Sequence, residues 1–319
     1  MNLLLKNILF PKRPATYSER SLEGLFYVPK HFGSAGIKNL EEAKDYYNNR
    51  NAEKQQLIPC LYIAAPKTSS NIIVYFHANG CDLGDIQQEL EILTQYCNCH
   101  IVAFEYPGYG ISREKKCDIK SINQYAESVI KLLLLFVKNS QQIFLMGRSI
   151  GTGPATEMMK VFQNKQITLG GLILHSPFLS IEDLINDYVP NPFSILSESG
   201  WNTQKNMEEF GEVPLLIQHS KCDEVINVSH TNKLFKNRVN KKSTHLCIST
   251  TSTHNNYDVY TDLCKPIKLF LETYGLNDEV FVRNLVFLFE LSDDLIFQDI
   301  PENLFTYIRR ELLCGCRMD

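Results

Sequence analysis

The sequence predicts an α/β fold, a mostly parallel central sheet with helices on both faces and a small insertion before its last two strands. Three observations carry this. Short apolar runs alternate with helix-spaced segments from about residue 55 to about residue 275. The runs are apolar at successive positions, as strands covered on both faces must be. One run, residues 142–146, leads directly into Gly147-Arg148-Ser149-Ile150-Gly151 and then into a helical pattern, so a strand feeds a sharp turn and a helix.

The first strand expected is residues 57–64, followed by the β-branched and aromatic run 71–76. Residues 83–96 read as a helix with Ile86, Leu90, Leu93 and Tyr96 on one face. Residues 100–106 form the next strand and 121–138 the next helix. After Gly151, Ala155, Met158, Met159 and Phe162 fall at helical spacing, and Pro154 is tolerable in a first helical turn. Strands follow at 171–175, 214–219 and 244–249, and a closing helix at 265–274. Residues 180–212, with Pro190, Pro192, Gly200 and the single tryptophan, Trp201, interrupt the alternation and read as a cap. The tail from about residue 277 carries two apolar stripes, Val280, Leu285, Leu288 and Phe289, then Leu304, Ile308 and Leu312, expected as two helices. All of this fits one domain of 319 residues.

Composition narrows the classes. Hydrophobic residues at 44% and charged residues at 21% suit a globular chain, and a net charge of −4 without a basic stripe excludes a nucleic-acid footprint. The ten cysteines form no CxxC pair and no zinc-ligand spacing, and Cys97 and Cys99 are too close for an ordinary disulfide. They read as reduced thiols of a cytoplasmic protein. The apolar start, residues 1–10, is too short to span a bilayer and lacks a cleavage signature, which leaves a packing or membrane-surface role open. No dinucleotide or Walker-type loop appears, so no cofactor and no metal are expected.

Gly-x-Ser-x-Gly on a strand–turn–helix lifts a serine hydroxyl off the sheet edge. A serine needs a base and an orienting acid, which in such sheets follow in the order Ser, Asp or Glu, His. Asp223 follows the strand at 214–219, and His254 follows the strand at 244–249; both lie at the carboxyl ends of strands, where Ser149 also emerges. Ser149 is the expected nucleophile, His254 the base and Asp223 its orienter. Backbone N–H groups of Ile150 and of Asn79, the latter in His77-Ala78-Asn79-Gly80-Cys81-Asp82, are the expected oxyanion donors. His219 is a rival base, Glu224 a rival acid, and His77 a brace for the loop. His245 lies at the wrong strand end, and Asp258 too near His254.

With these residues the chain resembles the α/β-hydrolase superfamily over roughly residues 55–275. Four stretches look like the α/β-hydrolase domain 13 and 17 group and the Bem46-like proteins: His77-Ala78-Asn79-Gly80-Cys81-Asp82-Leu83-Gly84, Tyr106-Pro107-Gly108-Tyr109-Gly110-Ile111-Ser112, Gly147 through Ala155, and Asp223-Glu224-Val225-Ile226 with Ser229-His230. The resemblance implies an α/β-hydrolase fold, no metal or organic cofactor, and hydrolysis of esters or thioesters, including removal of palmitate from acylated proteins. Ala78 stands where that group has glycine. Members that anchor to membranes carry an N-terminal cysteine cluster, whereas the first cysteine here is Cys60; Cys314-Gly315-Cys316 is a candidate acylation tail. A serine peptidase on short peptides and a catalytically silent scaffold are the competing readings. Oligomeric state is not legible.

Overall fold

The computed structural model describes residues 9–11, 13–48, 57–112, 114, 116–188 and 200–276. The elements run β1 (Leu25–Pro29), α1 (Leu40–Asn48), β2 (Leu57–Ile63), β3 (Ile72–Phe76), α2 (Leu83–Cys97), β4 (His100–Phe104), α3 (Ile119–Leu134), β5 (Ile143–Arg148) and α4 (Thr152–Asn164). They continue with β6 (Gly171–His175), α5 (Ile181–Asn186), α6 (Thr203–Glu209), β7 (Leu215–Ser220), α7 (Ser229–Asn237), β8 (Thr244–Ser249), a π-helical turn Val259–Cys264 and α8 (Lys265–Tyr274).

Eight strands form one sheet in the order β1-β2-β4-β3-β5-β6-β7-β8. β2 is antiparallel to both β1 and β4, and every pairing from β4 to β8 is parallel. The order explains the two-faced burial. Ile72, Val74 and Phe76 of β3 face one core layer with Ile122, Val129, Met158 and Phe162 of α3 and α4. Ile73 and Tyr75 face the other with Leu83, Leu90, Ile267 and Phe270 of α2 and α8. Helices therefore cover both faces, and period-2 alternation vanishes from the strand sequences because neither face is wet.

The structure departs from the sequence expectations in identifiable places. The sheet begins at β1, ahead of the boundary expected near residue 55. Leu9 and Phe10 are buried, and Phe10 meets Trp201 edge-on, so the end of the apolar start packs inward. Tyr96 is 37% exposed, and the buried face of α2 passes through Thr94 and Cys97 instead. α3 starts two residues early because Asp118 caps it, accepting from Ser121 N–H at 2.9 Å. Trp201, expected in a cap, is a core residue: a Cβ on Gly153 would lie 2.8 Å from its ring, and its Nε1–H donates to Asn123 at 3.0 Å. The far limb of the insertion thus lies down on α4, while the near limb reaches the first turn of α7, where Asp187 pairs with His230 at 2.7 Å. The middle of the expected cap, both tail stripes and the Cys314/Cys316 pair lie outside the described residues.

Candidate active site

Ser149 follows the central strand β5 and has φ +54°, a left-handed conformation unfavourable for a residue with a Cβ. Close backbone approach holds it there. A Cβ on Gly147 would come within 2.4 Å of Gly151 O, and a Cβ on Gly151 within 2.2 Å of Phe76 O. Both glycines are required by contact distance. The turn Ser149–Gly151 leads directly into α4, so the N-terminal end of that helix begins beside Ser149.

The three residues expected as a triad converge. His254 Nε2 is 3.0 Å from Ser149 Oγ, and His254 Nδ1 is 2.8 Å from Asp223 Oδ2. The carboxylate only accepts, so Nδ1 carries the ring proton and Nε2 offers its lone pair to the serine hydroxyl. All three residues are buried. Asp223 Oδ1 accepts from Val225 N–H at 2.9 Å and Ile226 N–H at 2.7 Å, an Asx-type loop that aims the other oxygen at His254.

The rivals take other places. His219 Nε2 lies 3.1 Å from Asp223 Oδ2 and 2.9 Å from Ile226 O, while its Nδ1 lies 2.6 Å from Thr231 Oγ1. It is a second donor to the acid. Glu224 accepts from the backbone N–H of His254 at 3.1 Å and so holds the loop. His245 bonds Tyr274 at the opposite end of β8, and Asp258 caps the π-helical turn.

Ile150, immediately after Ser149, is buried. Asn79 lies on the loop after β3, the strand paired with β5 at Phe76 and Gly147. The Tyr-Pro-Gly-Tyr stretch explains itself here: Tyr106 OH donates to His77 O at 2.9 Å, and Tyr109 OH donates to Asn79 Oδ1 at 3.1 Å. His77 does brace this loop, its Nδ1 lying 3.0 Å from Ala78 O and its Nε2 3.3 Å from the buried Glu105 carboxylate.

The family model for serine aminopeptidase, S33, matches residues 67–200. Human alpha/beta hydrolase domain-containing protein 17B is 25% identical over 77% of this chain and 85% of its own length. The 17C protein of Xenopus tropicalis is 25% identical over 83% and 88%. Among solved structures, an esterase from Pyrococcus furiosus superposes with a TM-score of 0.54 at 14% identity, covering 69% of this chain and 88% of that one. A soluble variant of monoglyceride lipase from Saccharomyces cerevisiae gives 0.53 at 13%, covering 70% and 92%. The chain has the α/β-hydrolase fold.

Electrostatics in this site centre on Asp223. Burial alone would raise its pKa, but hydrogen bonds from His219, His254 and the Ile226 N–H outweigh burial and hold the carboxyl well below the usual carboxylate range. The acid is therefore an anion across neutral pH. Arg148, the variable position of Gly-x-Ser-x-Gly, was not singled out from sequence. Its guanidinium donates to His254 O at 3.2 Å and Asn255 Oδ1 at 3.4 Å, and stacks 5.0 Å from the Tyr257 ring centroid. It ties β5 to the loop carrying His254. Nothing local in the sequence signals a contact spanning 106 positions. Among the described residues, no group of three or more His, Cys, Asp or Glu is arranged to hold a metal ion.

Proposed function

We propose that this α/β-hydrolase is a serine esterase or thioesterase working through a covalent acyl-enzyme. The observation carrying the reading is the Ser149–His254–Asp223 chain at 3.0 and 2.8 Å with the nucleophile held at positive φ. In this reading Ser149 Oγ attacks the acyl carbon while His254 Nε2 takes its proton. The oxyanion forms against the N–H groups of Ile150 and Asn79. The tetrahedral adduct collapses as His254 returns the proton to the departing alcohol or thiol. Water, deprotonated by His254, then attacks the acyl carbon, and the second adduct collapses as His254 returns that proton to Ser149 Oγ and the acid is released. Asp223, an anion throughout, stabilises the imidazolium formed in each half.

The superposed structures include an esterase and a monoglyceride lipase, and the acylated-protein reading is one case of such ester chemistry: a thioester leaving group is expelled by the same proton transfer. The eight described cysteines are all free thiols, which supports residence in a reducing, cytoplasmic compartment. No helix among the described residues is long and apolar enough to cross a membrane, and peripheral membrane contact is part of the proposal only through an acylated substrate.

The test is labelling with a fluorophosphonate. Wild-type protein becomes labelled and Ser149→Ala does not. Labelling that survives the substitution removes Ser149 as nucleophile, and folded wild type that never labels favours the silent-scaffold reading. Turnover compared across a short-chain ester, an acyl thioester and a dipeptide amide then separates esterase, thioesterase and peptidase, with the first two expected to exceed the amide.

A further inference from the structure

We propose that the N-terminal stretch, Pro11 together with residues 13–17, is a strap that sets the geometry of the oxyanion loop, so that its hydroxyl contacts act in the transition state at a distance. This rests on the assignment of the Asn79 N–H to the oxyanion.

The loop from His77 to Asp82 is flanked by two buried carboxylates, and the strap holds both. Asp82, at the loop's end, caps α2 by accepting from Asp85 N–H at 3.2 Å. The same carboxylate accepts from Thr16 N–H at 2.7 Å and from the Thr16 hydroxyl. Glu105 lies 3.3 Å from His77 Nε2 at the loop's start and accepts from Leu83 N–H at 3.2 Å just beyond its end. Its Oε2 also accepts from Tyr17 OH at 2.8 Å. Arg13 pairs with Asp85 and approaches Asp82 at 3.8 Å, and Pro11 lies against Gly80, whose φ is +70°. Asp82 and Glu105 are almost wholly buried, so Thr16 and Tyr17 supply hydrogen bonds that water cannot replace.

Missing side chains keep the strap seated. A Cβ on Gly84 would come within 2.5 Å of Thr16 Oγ1 and 3.0 Å of Tyr17 Cβ. One on Gly110 would come within 2.2 Å of Glu105 Oε2 and 2.8 Å of Tyr17 Cε1. Two glycines of the loop-bearing motifs are therefore explained by the strap's approach. The stretch was noticed in the sequence only for its apolar start; its polar continuation is where it meets the site.

An oxyanion donor gains its effect from placement, and removing one typically costs about 10²–10³ in turnover. A loop released from its pins is misplaced rather than lost, so a kcat loss of roughly tenfold to a hundredfold is expected. The full-length protein is compared as wild type, the Thr16→Val/Tyr17→Phe double variant, Gly84→Ala and Tyr27→Phe. Gly84→Ala improves helix propensity while displacing the strap. Tyr27→Phe removes a phenol bond to Glu19 away from the loop and serves as the control. The readouts are kcat and KM for p-nitrophenyl butyrate and the inhibition constant of a trifluoromethyl ketone, which forms the tetrahedral oxyanion. Expected for the double variant and Gly84→Ala is a fall in kcat, KM within about twofold, and ketone affinity weakened in parallel with kcat. Thr16→Ser/Tyr17→Phe, which keeps the hydroxyl that donates to Asp82, should retain more kcat and ketone affinity than Thr16→Val/Tyr17→Phe. Unchanged kcat and ketone affinity in strap-altered proteins overturns the strap, as does a rise in KM alone or an equal loss in Tyr27→Phe. A wild type that neither labels with fluorophosphonate nor turns over the ester overturns the serine-hydrolase reading instead, and this inference with it.

Discussion

At the scale of single residues, the acid is the most constrained group in the site. Asp223 receives two backbone N–H groups on one oxygen and two imidazoles on the other. The two imidazoles compete for the same oxygen. Replacing His219 by leucine removes one donor and concentrates the carboxylate's charge on His254. His254 is then the carboxylate's one imidazole partner, and the kcat/KM–pH profile is expected to move from that of the wild type. A lost hydrogen bond to a charged group corresponds to about tenfold or more in turnover near neutrality. His219→Asn, which keeps a side-chain N–H, should restore part of the profile. A profile unmoved in His219→Leu would show that His219 only packs. The sequence placed His219 at the correct edge but could not tell a base from a donor to the acid, because that depends on which carboxylate oxygen each ring reaches.

At the scale of elements, the elbow and its loops show what was legible. The Gly-x-Ser-x-Gly pattern marks the elbow in the sequence, and a Cβ on Gly147 or Gly151 would lie only 2.4 or 2.2 Å from the opposing backbone, which is why both positions are glycine. The strands were visible as apolar runs because both faces are buried. β1 escaped because it is a five-residue edge strand ending in Pro29, with no alternation to mark it. α7 escaped because only His230, Thr231 and Leu234 of its nine residues are buried, too few for a stripe. The insertion was read as a cap from its prolines and tryptophan, but Trp201 fills the space that Gly153 leaves open, a pairing no local pattern encodes. Arg148 shows the same limit in the site. Replacing it by methionine keeps the volume of the chain but frees the His254 carbonyl and Asn255 from the nucleophile strand. Labelling by fluorophosphonate should slow by about tenfold, with the melting temperature reduced as well because a buried acceptor is left unpaired. Arg148→Lys should recover little, since a point ammonium cannot reach both acceptors and stack on Tyr257. Unaltered labelling in Arg148→Met would mean that Glu224, together with Ser252, whose carbonyl accepts from the Ser220 hydroxyl and whose hydroxyl donates to Asp262, holds the loop unaided.

At the scale of the whole molecule, buried neutral histidines set the response to acid. His100 sits in the sheet beside β3, with Nδ1 accepting from Ala65 N–H at 3.2 Å and lying 2.8 Å from Tyr62 OH, and with Nε2 3.1 Å from Ser69 O. Both nitrogens are committed, so a second proton on Nδ1 would face donors. Burial accordingly lowers its pKa to about 4. His175 is likewise held well below the ordinary histidine range, by burial and by the nearby Arg148 guanidinium. The sign follows from proton counting. Between about pH 6.5 and pH 4 the unfolded chain binds a proton at His100 that the folded chain does not, so stability falls as pH falls across that window. The loss from His100 alone is on the order of 3 kcal/mol by pH 4. Asp223 adds a separate loss at lower pH: its folded pKa is depressed, so its contribution is intact above the ordinary carboxylate range near about 4 and disappears below it. The measurement is the melting temperature across pH 4 to 7.5 for wild type and His100→Gln. Glutamine can accept from Ala65 and donate to Ser69 without titrating. The variant should start less stable at pH 7.5 and lose less on acidification, so that the two curves approach one another toward pH 4. Parallel curves would remove His100 from the acid response and leave His175 to account for it.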